Sequence, residues 1–210
     1  ITIIDSNTRN EKILNFLINN KKNLIIGFSI ILVTVIGYLS MKEMKQQHKI
    51  KLANQFNITT INFNIEEKQT TINQLIKLIN ENDSTYSPLA LYFLIDNSLL
   101  NNNDEINSLF DELINEVNLD KEIKNLIIYK KALFNSDFST ENDLLQILNP
   151  IINSESIWKS HALFLLAEYF YSNKEKEKAK EFFNQILISN KSNLEIRNKS
   201  KNKLNREFSE

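Results

Sequence analysis

An uncharged apolar run near the N-terminus limits the folds open to this chain. Residues 24–39 read LIIGFSIILVTVIGYL, and Ser40 and Met41 lengthen the run. As a helix rising 1.5 Å per residue, residues 24–41 would extend about 27 Å, close to the roughly 30 Å hydrocarbon core of a bilayer. Lysines flank both ends, where their side chains can reach the headgroups. We therefore predict a transmembrane helix over residues 24–41.

Two other interpretations of the run stay open. A cleaved signal peptide needs small residues at its cleavage site, and the exit over residues 37–41 lacks that pattern. A buried core helix is possible for so short a run, although no other segment is as apolar on all sides. Charge leaves the orientation undecided, because each flank holds four basic residues: Arg9, Lys12, Lys21 and Lys22 before the run, and Lys42, Lys45, Lys49 and Lys51 after it.

Residues 1–23 form a short tail before the predicted span. Within it, Thr8–Leu17 alternates polar and apolar groups at helical spacing, with Ile13, Leu14 and Leu17 on one face. This pattern indicates either a short amphipathic helix at the membrane surface or a disordered tail.

After Met41 the apolar residues recur with a period near 3.6, which indicates helices almost throughout residues 42–210. The chain holds only two glycines and two prolines, so tight turns are few and an all-β fold is excluded. We predict an all-α body with helices near 42–61, 66–81, 86–101, 103–117, 120–135, 141–152, 157–173, 175–189 and 193–208.

Two stretches of the body are similar to each other. Residues 87–94 and 159–166 align with Ala90 on Ala162, a spacing of 72 residues, or two units of about 36. Repeats of that length are typical of solenoids built from helix pairs. The sequence therefore predicts about four degenerate helix pairs over residues 42–210.

The clearest single unit, residues 162–193, resembles a tetratricopeptide repeat without gaps. Small residues stand at Ala167 and Ala179, and large apolar or aromatic residues at Leu163, Leu166, Phe170 and Phe183. Lys174 replaces the usual turn glycine, and we expect the neighbouring Asn173 to supply the left-handed conformation. Lys191 replaces the terminal proline, and the unit near 125–152 needs a gap to fit.

Residues that could carry chemistry are scarce. Both glycines lie in the apolar run, so neither a P-loop nor a dinucleotide fingerprint can be built. His48 and His161 lack metal-binding spacing, and cysteine is absent. The net charge of −1 argues against nucleic-acid binding. We predict no enzyme activity, cofactor, metal or small-molecule substrate.

The resemblance to tetratricopeptide repeats implies a concave groove lined by the first helix of each pair, which takes up peptides or partner domains. In the register of the best unit, the groove face of that helix carries His161, Phe164, Glu168 and Tyr171. A shift by 72 residues adds a second set: Leu89, Tyr92, Asp96 and Leu99. Such aromatic residues are common binding anchors, although Phe164 and Tyr92 could equally pack against the neighbouring helix pair.

The whole layout resembles the ancillary subunit family of the bacterial Sec translocon. The similarity is carried by the span LIIGFSIILVTVIGYL, by the stretch Ser87-Pro88-Leu89-Ala90, and by residues 158–170 with the helix that follows. It implies a single-pass protein of the bacterial inner membrane, with the N-terminus in the cytoplasm and the repeats in the periplasm. The implied partners are the translocon and a membrane-anchored chaperone or isomerase that helps secreted or envelope proteins mature.

Two other functions stay open from the sequence. The same repeat domain could serve as an adaptor that coordinates the cell envelope or cell division. An enzyme of unknown type is the second, and loss of turnover on mutating His161 or His48 would be the first support for it.

Overall fold

The chain is all-α in its computed structural model, which describes residues 6–208 and their side chains from residue 11 onward. The described part holds ten α-helices, one short 3-10 turn and no strand, which confirms the all-α class. The helices are α1 (Ser6–Asn19), α2 (Lys21–Ile61), α3 (Lys68–Ile79), α4 (Tyr86–Asp96), α5 (Asn103–Glu116), α6 (Lys121–Asn135), α7 (Glu141–Ile152), α8 (Lys159–Ser172), α9 (Lys176–Ile188) and α10 (Leu194–Glu207).

The predicted span lies inside a longer helix. α2 continues without interruption from Lys21 to Ile61, so the helix predicted over 42–61 is its second half. Among the described residues, α2 is the one helix long and apolar enough to cross a membrane, and none of its most apolar window is buried inside the protein. That exposure argues against the core-helix alternative. The tail segment is helical in α1, and its place at a membrane surface stays a prediction.

The chain divides into two compact units, Ile1–Asn54 and Gln55–Glu210. The division falls within α2, whereas the sequence placed domain boundaries at 23/24 and 41/42. Those two boundaries follow the hydropathy of the chain and stay predictions. The second unit holds the remaining helices and the cavities described below.

Each helix from α3 onward contacts the next one along the chain, and α8 also contacts α6 and α10. One buried cluster extends over α3 to α6 and includes Leu75, Leu94 and Phe110. A second extends over α6 to α9 and includes Phe170 and Phe183. Contacts between successive helices therefore dominate the packing of this unit.

Small side chains let α8 and α9 approach closely. Ala167 and Ala179, the two small positions noted in the sequence, are both fully buried. Because close packing leaves few voids, a larger side chain at either position would push the two helices apart.

The 72-residue similarity reappears in the burial pattern. Pro88, Ala90, Leu91 and Leu94 of α4 are buried, and so are their counterparts Ser160, Ala162, Leu163 and Leu166 of α8. The two helices differ in length, because α4 ends at Asp96 rather than near residue 101 as predicted. It ends there because Ser98 takes a positive φ of 50°.

The turns after α4 and α8 have the same hydrogen bonds. After α8, the amide of Glu175 donates to the carbonyl of Phe170 at 2.9 Å, and the amide of Lys174 donates to Tyr171 at 3.1 Å. This is the Schellman pattern, whose left-handed residue follows the C-cap. Lys174 itself therefore takes the positive φ, 64°. The expectation that Asn173 would do so is wrong, since Asn173 is the C-cap with a φ of −81°.

Candidate protein-binding groove

Two adjacent cavities lie between α4 and α6, and Tyr92 lines both of them. The larger has a volume of about 530 Å³ and is lined by Pro88, Leu89 and Ile123 among others. The smaller has a volume of about 200 Å³ and extends to Asp96 and to Leu133 of α6. We call the residues that line these two cavities the open seam.

Aliphatic side chains of the open seam are accessible to solvent. Leu89 is 40% exposed, and Ile123 and Leu133 are each 43% exposed. Leu89 lies on α4, whereas Ile123 and Leu133 lie on α6, so both walls present apolar surface. Contiguous exposed apolar surface that faces a cavity is typical of binding sites for other proteins.

The Tyr92 hydroxyl is buried, and it has no hydrogen-bond partner among the described residues. Burial raises the pKa of Tyr92 to about 12, so the phenol stays neutral and keeps its proton at physiological pH. The ammonium of Lys130 lies 5.6 Å from the centre of the Tyr92 ring. Leaving a buried hydroxyl unpaired costs about 1–3 kcal/mol.

One carboxylate lines each cavity of the open seam. Asp120 lines the larger cavity and Asp96 the smaller one. Within the part of the chain that the structure describes, neither carboxylate forms an ion pair. Lys130 is the lysine that lines the smaller cavity.

The corresponding face of α8 packs against α10, and polar contacts join the two helices. We call this contact between α8 and α10 the closed seam. Lys203 pairs with Glu168 at 3.0 Å and lies 4.3 Å from the centre of the Tyr171 ring. The Tyr171 hydroxyl donates to Glu207 at 2.6 Å. That hydrogen bond, together with burial, raises the pKa of Tyr171.

Phe164 and three basic side chains line a cavity in the closed seam. Phe164 contacts Phe183 edge-on with 5.7 Å between ring centres. It also lines a cavity of about 280 Å³ with Lys199, Lys203 and Arg206 of α10. The face of α8 that the sequence assigned to a groove is thus partly covered by the last helix.

His161 lies in an aromatic group at the start of α8. Its ring is 5.2 Å from that of Trp158 and 5.9 Å from that of Tyr129. Burial lowers the pKa of His161, and a hydrogen bond to the backbone of Ile157 partly opposes this shift. These neighbours explain the position of His161 by packing.

The structure brings three of the eight groove residues together in the open seam: Leu89, Tyr92 and Asp96. The four residues of α8 are separated from them and are half-buried. Leu99 is 2% exposed and belongs to the core, so its side chain offers no binding surface.

α6 contributes a wall of the open seam that the predicted groove residues do not include. Ile123, Ile127, Lys130 and Phe134 line the two cavities and follow one another at helical spacing. That spacing was visible within the helix predicted over 120–135. The predicted groove leaves these residues out because the unit near 125–152 fits the repeat pattern poorly.

The described residues contain no cluster of three or more His, Cys, Asp or Glu side chains that could hold a metal ion. Comparison with protein-family models, curated proteins and solved structures finds no match for this chain. The candidate site therefore rests on its own geometry.

Proposed function

We propose that this protein is a membrane-anchored scaffold that binds another polypeptide in the open seam. The observation that carries the proposal is the pair of cavities beside Tyr92, with exposed aliphatic side chains on both walls. Apolar surface of this kind gains free energy when a partner covers it, at roughly 25 cal/mol per Å².

The proposed architecture is an α-solenoid of about four tetratricopeptide-like helix pairs. Three observations support it: contacts between successive helices, the 72-residue match in burial between α4 and α8, and the close approach at Ala167 and Ala179. In such an array the first helices of neighbouring pairs lie side by side. α4 and α6 would then be two such helices, and the open seam would lie on the concave face.

The proposed location is the bacterial inner membrane, with α2 as the single span, the N-terminus in the cytoplasm and the repeats in the periplasm. The exposed apolar window of α2 supports a span, and the orientation follows from the resemblance to the ancillary Sec translocon subunit. Alkaline phosphatase fused to the C-terminus should be active, and a green fluorescent protein fused there after Sec export should be dark. The reverse pattern would overturn the proposed orientation.

The proposed partners are the Sec translocon and a membrane-anchored chaperone or isomerase. A photo-crosslinking amino acid at position 89 in intact cells tests this, with position 188 as the control. Ile188 is 79% exposed and lies outside the open seam, on α9. Translocon subunits crosslinked at position 89 and not at position 188 would support the proposal. Peptidoglycan-synthesis or division proteins would favour the envelope adaptor, and equal crosslinking at both positions would refute binding in the open seam.

A further inference from the structure

Helix α1 exposes large apolar side chains on one half of its surface. Five of them are between 48% and 63% exposed: Ile13, Leu14, Phe16, Leu17 and Ile18. With successive residues 100° apart around a helix, these five fall within an arc of about 200° that is centred on Leu17. Four polar residues fill the opposite side: Glu11, Lys12, Asn15 and Asn19. α1 is therefore amphipathic, and its apolar half is open to solvent.

A single residue, Asn20, joins α1 to α2. The amide and the side-chain Nδ2 of Asn20 both donate to the carbonyl of Phe16 at 3.0 Å, which closes the last turn of α1. The carbonyl of Asn20 accepts from the amide of Leu24 at 2.9 Å in the first turn of α2. α1 is thus a separate helix that ends close to Leu24, where the apolar run begins.

The position of α1 along the chain selects a bilayer surface as its partner. With α2 as the span, only residues 20–23 separate α1 from the part of the chain inside the hydrocarbon core. Four residues extend at most about 14 Å. The end of α1 therefore always lies beside the headgroup layer, where lipid can cover the apolar half.

Charge favours the same partner. Residues 1–23 carry four basic side chains, Arg9, Lys12, Lys21 and Lys22, and two carboxylates, Asp5 and Glu11. A basic excess next to an apolar helix face attracts anionic headgroups.

Lys12 lies four residues before Phe16, at the edge of the apolar arc. From such an edge a lysine can lay its methylene groups on lipid and extend its ammonium to the phosphates.

A second copy of α1 fits the apolar half less well than a bilayer does. A two-stranded coiled coil uses a narrow apolar stripe that continues over at least about three heptads. α1 has 14 residues, which is two heptads, and its apolar arc covers half of the helix. One neighbouring helix would leave much of that arc exposed, whereas a planar lipid surface covers it.

We infer that α1 lies on the surface of an anionic bilayer beside the span, with Leu17 directed to the acyl chains and Lys12 at the headgroups. α1 is then a second membrane contact, which holds the start of α2 at a fixed depth. The inference rests on the proposed span, and it is independent of the orientation of that span and of the open seam.

The test uses spin labels, because the chain has no cysteine and a single one can be introduced at a time. Leu17→Cys places the label at the centre of the apolar half, Asn15→Cys places it on the polar side of the same helix, and Val33→Cys places it within the apolar run. The full chain is studied in nanodiscs of phosphatidylcholine and phosphatidylglycerol. Power-saturation EPR compares collisions of each label with oxygen, which concentrates in the bilayer, and with a neutral nickel chelate, which stays in water.

We expect the label at position 17 to be at least about threefold less accessible to nickel than the label at position 15, because a surface helix buries its apolar face about 5–10 Å deep. Equal nickel accessibility at the two positions would overturn the inference. Low accessibility to both oxygen and nickel at position 17 would indicate contact with protein, and dipolar broadening there would identify a second copy. Either result would overturn lipid as the partner.

The label at position 33 separates failure of this inference from failure of the proposed span. High oxygen and low nickel accessibility at position 33, with equal nickel accessibility at positions 15 and 17, would retain the span and refute the surface helix. Nickel accessibility at position 33 would refute the span and the inference together.

A matched pair of substitutions tests the apolar half. In the protein labelled at position 17, Phe16→Asp should raise nickel accessibility by about threefold, because a carboxylate disfavours burial of that face in lipid. Asn15→Asp adds the same charge on the polar side and should leave accessibility unchanged. Fluorescence of Trp158 verifies that the helical body stays folded. Unchanged accessibility in Phe16→Asp would refute burial of this face.

Lipid composition tests the charges. In nanodiscs of phosphatidylcholine alone, nickel accessibility at position 17 should be about twofold higher than with phosphatidylglycerol present, because the attraction of the lysines to anionic headgroups is lost. Lys12→Gln should reduce this dependence on phosphatidylglycerol. If composition has no effect, anionic headgroups have no part in the contact and that part of the inference is wrong.

Discussion

The open seam lies between α4 and α6, and the closed seam lies between α8 and α10. α4 and α8 are related by the 72-residue similarity, yet their corresponding faces have different surroundings. In the closed seam Lys203 bridges to Glu168, and Tyr171 donates to Glu207. In the open seam Lys130 lies over Tyr92, and Asp96 has no ion pair within the described residues. Similar faces of α4 and α8 are therefore covered to different extents: α10 packs on α8, whereas cavities lined by exposed apolar side chains lie beside α4.

The largest expected effect comes from truncating one apolar side chain in each seam to alanine. Phe164→Ala should lower the free energy of unfolding by about 2 kcal/mol, because a half-buried phenylalanine loses part of the 3–5 kcal/mol typical of core sites. Leu89→Ala should cost less than about 0.5 kcal/mol, because an exposed side chain makes few contacts. Urea denaturation followed by the fluorescence of Trp158, the sole tryptophan, measures both. Equal losses would erase the distinction between the seams.

The lysines of the two seams form the next comparison. Lys203→Gln should lower the free energy of unfolding by about 1 kcal/mol, because it removes an ion pair and a close contact with the Tyr171 ring. Lys130→Gln should cost less than about 0.5 kcal/mol, since its ammonium is 5.6 Å from the Tyr92 ring and has no ion pair among the described residues. The same urea denaturation measures both variants. A larger loss of unfolding free energy for Lys130→Gln than for Lys203→Gln would contradict the view that the closed seam is the better packed of the two.

The turns that end α4 and α8 are expected to respond alike. Ser98→Gly and Lys174→Gly should each raise the free energy of unfolding by about 0.5 kcal/mol, because glycine adopts the positive φ without the steric cost of a Cβ. The control Asn173→Gly lies at a negative φ and should bring no gain. If only one of the two variants is more stable than the wild type, the positive φ is strained in that turn and not in the other, although both have the Schellman hydrogen bonds.

The smallest expected effect is a change in the pKa of one tyrosine, and it distinguishes why the pKa values of Tyr171 and Tyr92 are raised. Glu207→Gln should bring the pKa of Tyr171 down, because its hydrogen bond to the charged carboxylate is the largest cause of the shift. The pKa of Tyr92 should stay near 12, because burial causes its shift. NMR titration of tyrosine ring carbons in the two proteins measures both values. A fall in the Tyr92 pKa would mean that charge from the closed seam reaches the open one.

Tyr92 also links stability to alkaline pH. Its pKa is about 12 in the folded protein and 10 when unperturbed. The folded state therefore holds this proton more tightly, so the free energy of unfolding should fall as the pH rises from 10 to 12. Tyr92→Phe should lose less stability over that interval than the wild type does, and an identical pH profile would argue against the burial of the hydroxyl.

Local patterns in the sequence were enough to predict the helices. Spacing of apolar residues near 3.6 sets the helical faces, and caps such as Thr140 and Asn102 set helix starts. The predicted end of α4 near residue 101 is wrong, because a serine at position 98 gives no sequence signal for a positive φ. Its left-handed conformation comes from the bonds of the turn, in which Leu99 donates to the carbonyl of Leu94 at 2.9 Å.

The sequence alone determined the all-α class, the apolar run of α2 and most helix boundaries, because these depend on residues close together along the chain. The tertiary structure alone decided which predicted groove residues are accessible. Leu99 enters the core, α10 covers the face of Phe164, and Tyr92 is left beside two cavities. Burial of a side chain depends on which distant helix packs over it, and that partner is not encoded in the side chain's own neighbourhood.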